Sequence, residues 1–184
     1  MTETSLRRAD ARANRARIVT AAAELFAEQG SGVSFNAVAQ RAGVGNATLY
    51  RHFDGLEELR EAVFQDRMDQ VAHLLDDLQD LGDPLEGLRR FLLWTLESGD
   101  LRLLRLAEMK ALTCPGIEQS RARIRAALDQ MLECGRVRGC VRAGVDRNDI
   151  VVAAGVLVQL ARNEDVTPER KLAFLDTFLR GLRN

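Results

Sequence analysis

The sequence predicts an all-α protein of about nine helices, and three observations predict it. Leu, Ala and Arg dominate the 184 residues, while the strand-favouring Thr, Tyr and Ile are scarce. Apolar residues recur at three- and four-residue spacing along most of the chain, and no segment alternates with strand-like bias. All three prolines stand where a helical segment should begin, a position at which the fixed φ and the missing N–H cost nothing.

The elements follow in order. Residues 1–13 are polar and are expected to fray. From about Asn14 the residues Ile18, Ala22, Leu25 and Phe26 share one helical face, and Gly30-Ser31-Gly32 ends that helix by tolerating positive φ. Ser34 is a good N-cap for a second helix over about 35–41, which Gly43 stops. A third, short helix covers about 46–52. After Gly55 a long amphipathic stretch carries Leu56, Leu59, Val63, Val71, Leu74, Leu75 and Leu78. The prolines then open helices near 84–98, 115–137 and 168–182, with Asp83 and Thr167 as N-caps of the first and last. Further helices are expected at 101–112 and 147–162.

Composition excludes several classes. No apolar run approaches the roughly 20 residues of a membrane helix, the longest being Ile150 to Ala161. The first 20 residues hold five Arg and no apolar core, so no secretory signal peptide is expected. Cys114, Cys134 and Cys140 form neither a disulfide framework nor a zinc pattern, and two His in the chain make a His-based metal centre improbable. No cofactor or metal is expected, and a reduced, cytoplasmic setting fits. The net charge of −1 conceals a division: residues 1–53 hold seven Arg against four acidic residues, a balance of +3, which leaves −4 on the remainder.

The informative stretch is FNAVAQRAGVGNATLYRHF, Phe35 to Phe53. A helix-turn-helix needs a small residue where two helices cross, and Ala39 is small. It needs a turn free of a Cβ clash, and Gly43 follows four positions later. Val38, Ala42, Val44 and Leu49 lie at the spacing that pins the pair together. The second helix then begins with polar groups, Asn46, Thr48, Tyr50, Arg51 and His52, near an N-terminus whose N–H groups favour phosphate. Such a helix fits a major groove, and the Arg-rich segment before the first helix suits the DNA backbone.

AAAELFAEQG, then VAQRAGVGNATLYRHF, then EEL resemble the DNA-binding domain of TetR-type transcriptional regulators over residues 15 to 59. The resemblance implies a three-helix DNA-binding head, residues 1–53, and a helical effector-binding and dimerisation body, residues 54–184. It implies DNA contacts at Ser34 and Asn36 and, on the recognition helix, at Asn46, Ala47, Thr48, Tyr50, Arg51 and His52. One departure stands out: the family usually has a phosphate-touching Lys where this chain has Leu56, so that contact is not expected here, and Arg60 or the amino-terminal segment is the candidate substitute.

In the body, Ile150 to Ala161 is apolar nearly all round and must be covered on most sides. The last helix carries an apolar stripe. Val151, Gly155, Val158, Leu172, Leu175, Phe178, Leu179 and Leu182 are therefore candidate dimer residues, in an intermolecular four-helix bundle that the resemblance also implies; the alternative is that both helices complete a monomer core. A ligand cavity with apolar walls, adaptable Met and a polar anchor is expected from Phe91, Trp94, Leu104, Met109, Met131 and Gln159, with His73 linking occupancy to the head.

The function expected is a ligand-responsive repressor that binds a palindromic double-stranded operator as a homodimer and is released by a small, apolar effector. Two rivals are a redox sensor acting through Cys134, in the basic setting ECGRVRGC, and a helical protein-interaction module that ignores DNA. No Gly-rich phosphate loop, HExxH, GxSxG or paired-carboxylate site suggests an enzyme.

Overall fold

The computed structural model describes residues 3–98 and 115–184; the helix expected at 101–112, with Leu104, Met109 and Cys114, lies outside the described residues. Among the described residues there are eight α-helices and no strand. Two compact units divide the chain, Met1–Arg67 and Met68–Asn184.

The first unit begins with α1 (Glu3–Gln29), followed by a 3₁₀ turn over Gly30–Gly32. The expected fraying is corrected for residues 3–13, because helix runs from Glu3. The segment is rich in Ala, Arg and Glu and lacks Gly and Pro up to Gly30, so a helix nucleated on the buried Ile18 face propagates backward through exposed Arg8–Ala13. Next come α2 (Phe35–Ala42) and α3 (Asn46–His52), and α4 (Leu56–Gln79) starts within the same unit. Ser34 caps α2 as expected, its Oγ accepting from the Ala37 N–H at 3.1 Å. The head's core gathers Ile18, Ala22, Leu25 and Phe26 from α1, Val38, Ala39 and Ala42 from α2, then Leu49, Phe53 and Leu59, all buried.

The second unit holds the rest of α4 with α5 (Pro84–Ser98), α6 (Pro115–Val137), α7 (Arg147–Ala161) and α8 (Pro168–Leu182). Each proline opens its helix, as the sequence predicts. Asp83 accepts from the Leu85 and Glu86 N–H groups, Thr167 from that of Arg170, and Asp146 with Asp149 forms a reciprocal cap at α7. The central helix is α5, which packs against α6, α7 and α8. Its Leu88, Phe91, Leu92 and Leu96 join Leu75, Leu128, Leu132, Ile150, Leu157 and Leu175 in one apolar cluster. The buried Thr95 hydroxyl is satisfied by donating to the Phe91 carbonyl at 2.9 Å. Where α6 ends, Gly135 lets Val141 fold back against the helix; a Cβ there would collide with the Val141 side chain. The end of α8 is held in turn by Arg142, whose N–H and Nε donate to the Leu182 and Gly181 carbonyls at 2.9 and 2.7 Å. No helix among the described residues is long and apolar enough to cross a membrane.

Candidate nucleic-acid interface

The turn between α2 and α3 is built on one glycine. Gly43 sits at φ +63°, a left-handed conformation that costs other residues strain, and its N–H turns back to the carbonyls of Ala39 and Gln40. Gly45 is extended and starts α3, its carbonyl accepting from the N–H groups of Thr48 and Leu49. Val38, Ala39, Ala42 and Leu49 are buried between the helices and Val44 is half-buried, so the expected pinning residues all face inward.

That arrangement turns the polar side of α3 outward. Asn46, Ala47, Tyr50 and Arg51 are exposed, Thr48 and His52 are half-buried, and Ser34 and Asn36 are exposed at the start of α2. An aromatic pair joins the start of α2 to the last turn of α3: the rings of Phe35 and Tyr50 lie 4.9 Å apart at 60°, edge to face, with Tyr50 58% exposed. Arg51 folds back along its own helix, donating from Nε to the Ala47 carbonyl at 3.2 Å and from Nη2 to Thr48 Oγ1 at 3.0 Å. The two side chains thus present one ordered donor–acceptor group.

Several arginines counted in the head's charge are committed elsewhere. Arg41 donates to both oxygens of Glu28 and to Glu24, at 2.9–3.1 Å. Those bonds raise its pKa further above the usual guanidinium range, and the Arg41 bond holds the Glu28 carboxyl below its ordinary 4.5. Arg15 lies over the Phe53 ring at 4.9 Å. Arg60, a proposed substitute for the missing Lys at position 56, stacks on Phe26 at 5.6 Å and pairs with Glu57 at 2.6 Å. Its charge is engaged within the head, whereas Arg8 and Arg12 are exposed on α1. Sequence reasoning missed the roles of Phe35 and Arg41; their partners lie 13 to 17 residues away in sequence, out of reach of periodicity.

The candidate effector residues are not gathered into one cavity among the described residues. His73 and Gln159 are exposed, Phe91 and Met131 are buried in the core, and Trp94 is half-buried against it. One small cleft of ≈ 90 Å³ is lined in part by Leu78, Pro84, Gln130, Met131, Cys134 and Arg138. Ligand sites are larger, roughly 300–1,000 Å³. No group of three metal-ligating side chains occurs among the described residues.

The candidate dimer residues separate into two sets. Val158, Leu175, Leu179 and Leu182 are 2–8% exposed and pack inside their own protomer, which corrects their assignment to the interface: a helix at the edge of a core must first bury its own stripe. Val151 and Leu172 are exposed at 53% and 46%, and Gly155 and Phe178 are half-buried. Val152, Val156 and Phe174, not singled out from sequence, join them on the surface.

Residues 18–63 match the family described as bacterial regulatory proteins, tetR family. An HTH-type transcriptional regulator of Staphylococcus aureus (strain USA300) is 43% identical over 63 residues, which is 34% of this chain and 34% of that protein. The match thus spans about a third of that relative's length. Solved structures align over nearly the whole chain. A TetR regulator from Mycobacterium vanbaalenii is 29% identical with a TM-score of 0.70, covering 96% of this chain and 99% of its own. One from Streptomyces coelicolor is 26% identical with a TM-score of 0.71, covering 92% and 98%. A gamma-butyrolactone receptor is 27% identical with a TM-score of 0.70, covering 95% and 90%. A helix-turn-helix thus stands at the residues that match the tetR family of bacterial regulatory proteins, and the chain as a whole has the all-α fold of solved TetR-type transcriptional regulators.

Proposed function

We propose that this protein is a cytoplasmic repressor that binds a palindromic operator as a homodimer and leaves it when a small, apolar effector binds. Residues 1–53 read DNA in this scheme, and residues 54–184 dimerise and receive the effector. The observation that carries the reading is the outward face of α3, where Asn46, Tyr50 and Arg51 are exposed beside half-buried Thr48 and His52. A short helix of this kind reads base edges with its first residues while its neighbours hold phosphates.

Dimerisation is supported by where apolar surface remains. Of the eight large hydrophobic residues exposed among the described ones, five lie on α7 and α8: Val151, Val152, Val156, Leu172 and Phe174. Apolar side chains left exposed on two neighbouring helices suit a partner surface, and a twin supplies the matching half of a palindrome. An effector is supported by the likeness to a gamma-butyrolactone receptor. Release is a population shift: the dimer that reads DNA holds its recognition helices about 34–36 Å apart, and a ligand favouring another spacing lowers affinity by about 5–150-fold.

Selecting genomic fragments that the purified protein retains tests the reading. Recovery of one short inverted repeat, protected from cleavage over both halves, is the expected result. Retention of fragments with no shared sequence, or of none, refutes it.

A further inference from the structure

We propose that Arg17, on α1, is a positioning residue for the recognition helix: its guanidinium fastens the turn between α2 and α3 and so fixes the direction in which α3 leaves it. The inference rests on the DNA-reading role of α3 proposed above. It assigns a function to an arginine that charge counting alone would place on a phosphate.

The last carbonyls of a helix have no partner within it. At the end of α2 the Gly43 N–H takes up the Ala39 and Gln40 carbonyls, and the Val44 N–H bonds to Ala39 as well. The Ala42 and Gly43 carbonyls belong to the turn itself. Arg17 reaches both from another helix, its Nη2 donating to Ala42 at 2.6 Å and to Gly43 at 3.1 Å. Its Nη1 donates to Asn14 Oδ1 at 3.3 Å, which anchors the group on α1. A planar guanidinium fixes several bonds in one geometry, and a cation at a helix C-terminus also meets the negative end of the helix dipole. The glycine serves this contact twice. It accepts φ +63°, and it leaves space that a Cβ would narrow to 3.3 Å from Nη2.

The direction of α3 is therefore held at separate places. Leu49 pins its inner face in the core, Tyr50 abuts Phe35 near its end, and Arg17 holds the turn at its beginning. Without Arg17 water takes the turn carbonyls, α3 stays helical, and its start gains angular freedom. Reading base edges needs fixed geometry, whereas attraction to phosphate tolerates misalignment. Loss of Arg17 should then weaken specific binding while sparing non-specific binding.

The test compares wild type, Arg17→Met and Arg17→Lys on the selected operator and on an unrelated duplex of equal length, over a range of salt, with thermal unfolding measured alongside. For Arg17→Met the operator affinity should fall about tenfold, roughly one base-edge contact. Affinity for the unrelated duplex should stay within about twofold and the salt slope should not change, since no phosphate contact is lost. Arg17→Lys, which keeps the charge without the fork, should fall between and decides the matter if the Met variant does not fold. Equal losses on both duplexes, with a slope shallower by about one per half-site, would make Arg17 a phosphate contact instead and overturn the proposal. So would a lowered melting temperature with an unchanged ratio of the two affinities. If wild type itself prefers no duplex, the DNA-reading proposal has failed first.

Discussion

Tyr50 shows how much one side chain's setting decides. A tyrosine this exposed gives up apolar burial, yet its ring is not free to swing, because Phe35 meets it edge to face. The phenol is held out from the head at low entropic cost. Replacing Tyr50 or Thr48 by Ala should therefore leave the unfolding free energy within about 1 kcal/mol of wild type, as surface changes do, and should cost about 1–3 kcal/mol of operator binding. Footprinting at graded concentrations checks this; protection equal to wild type would remove α3 from the interface. At this scale the sequence was informative about identity and silent about company. That Tyr50 and Arg51 face solvent follows from the spacing of Leu49 and Phe53. That Arg51 bonds Thr48 and Arg41 bonds Glu24 and Glu28 does not, because side-chain partners are chosen by rotamer and by tertiary approach.

The boundaries of the elements were legible almost throughout. Prolines open α5, α6 and α8, Gly43 closes α2, and Ser34, Asp83 and Thr167 cap, each through chemistry contained within a few residues. The start of α1 is less legible: polar terminal residues predict fraying, yet helix propensity carries the segment from Glu3. Which side of a helix faces which neighbour was less legible. An apolar stripe demands cover but does not say whether the cover is the same chain or another. Leu175, Leu179 and Leu182 turned out to be covered by their own protomer, while Val152 and Val156 remain open. The same holds for the candidate pocket residues Met131 and Phe91, which sit in the core cluster, while Leu104 and Met109 lie outside the described residues. The distinction gives a sharp experiment. Val152→Glu with Val156→Glu should yield folded monomers in ultracentrifugation, with unchanged helicity by circular dichroism. Leu175→Glu should unfold the chain instead, because a buried unpaired charge costs several kcal/mol. Dimers from the double valine variant would move the interface elsewhere.

Over the whole molecule, charge is partitioned more finely than the division into +3 and −4 indicates. Arg41 is neutralised by two glutamates and Arg17 is bound to carbonyls, so the head presents fewer free cations than it contains. Among the described residues of α1, Arg15 lies over Phe53 and Arg17 holds the turn, whereas the exposed Arg8 and Arg12 have no acidic or aromatic partner. Operator affinity should accordingly fall by orders of magnitude between about 50 and 200 mM salt. Arg12→Gln should make that slope shallower by about one per half-site, while Arg41→Gln should leave it unchanged. Equal slopes for all three proteins would detach α1 from the phosphates. The helical start of α1 has a consequence of its own. Had these residues been an extended arm, adding one would only have lengthened the reach. On a helix each residue turns the next by about 100°, so a single insertion between Arg12 and Ile18 would swing both arginines to another side of the rod with composition and charge intact. Insertions of about seven residues, near two full turns, would restore the phase. The length of that stretch is thus constrained in steps, like the teeth of a gear.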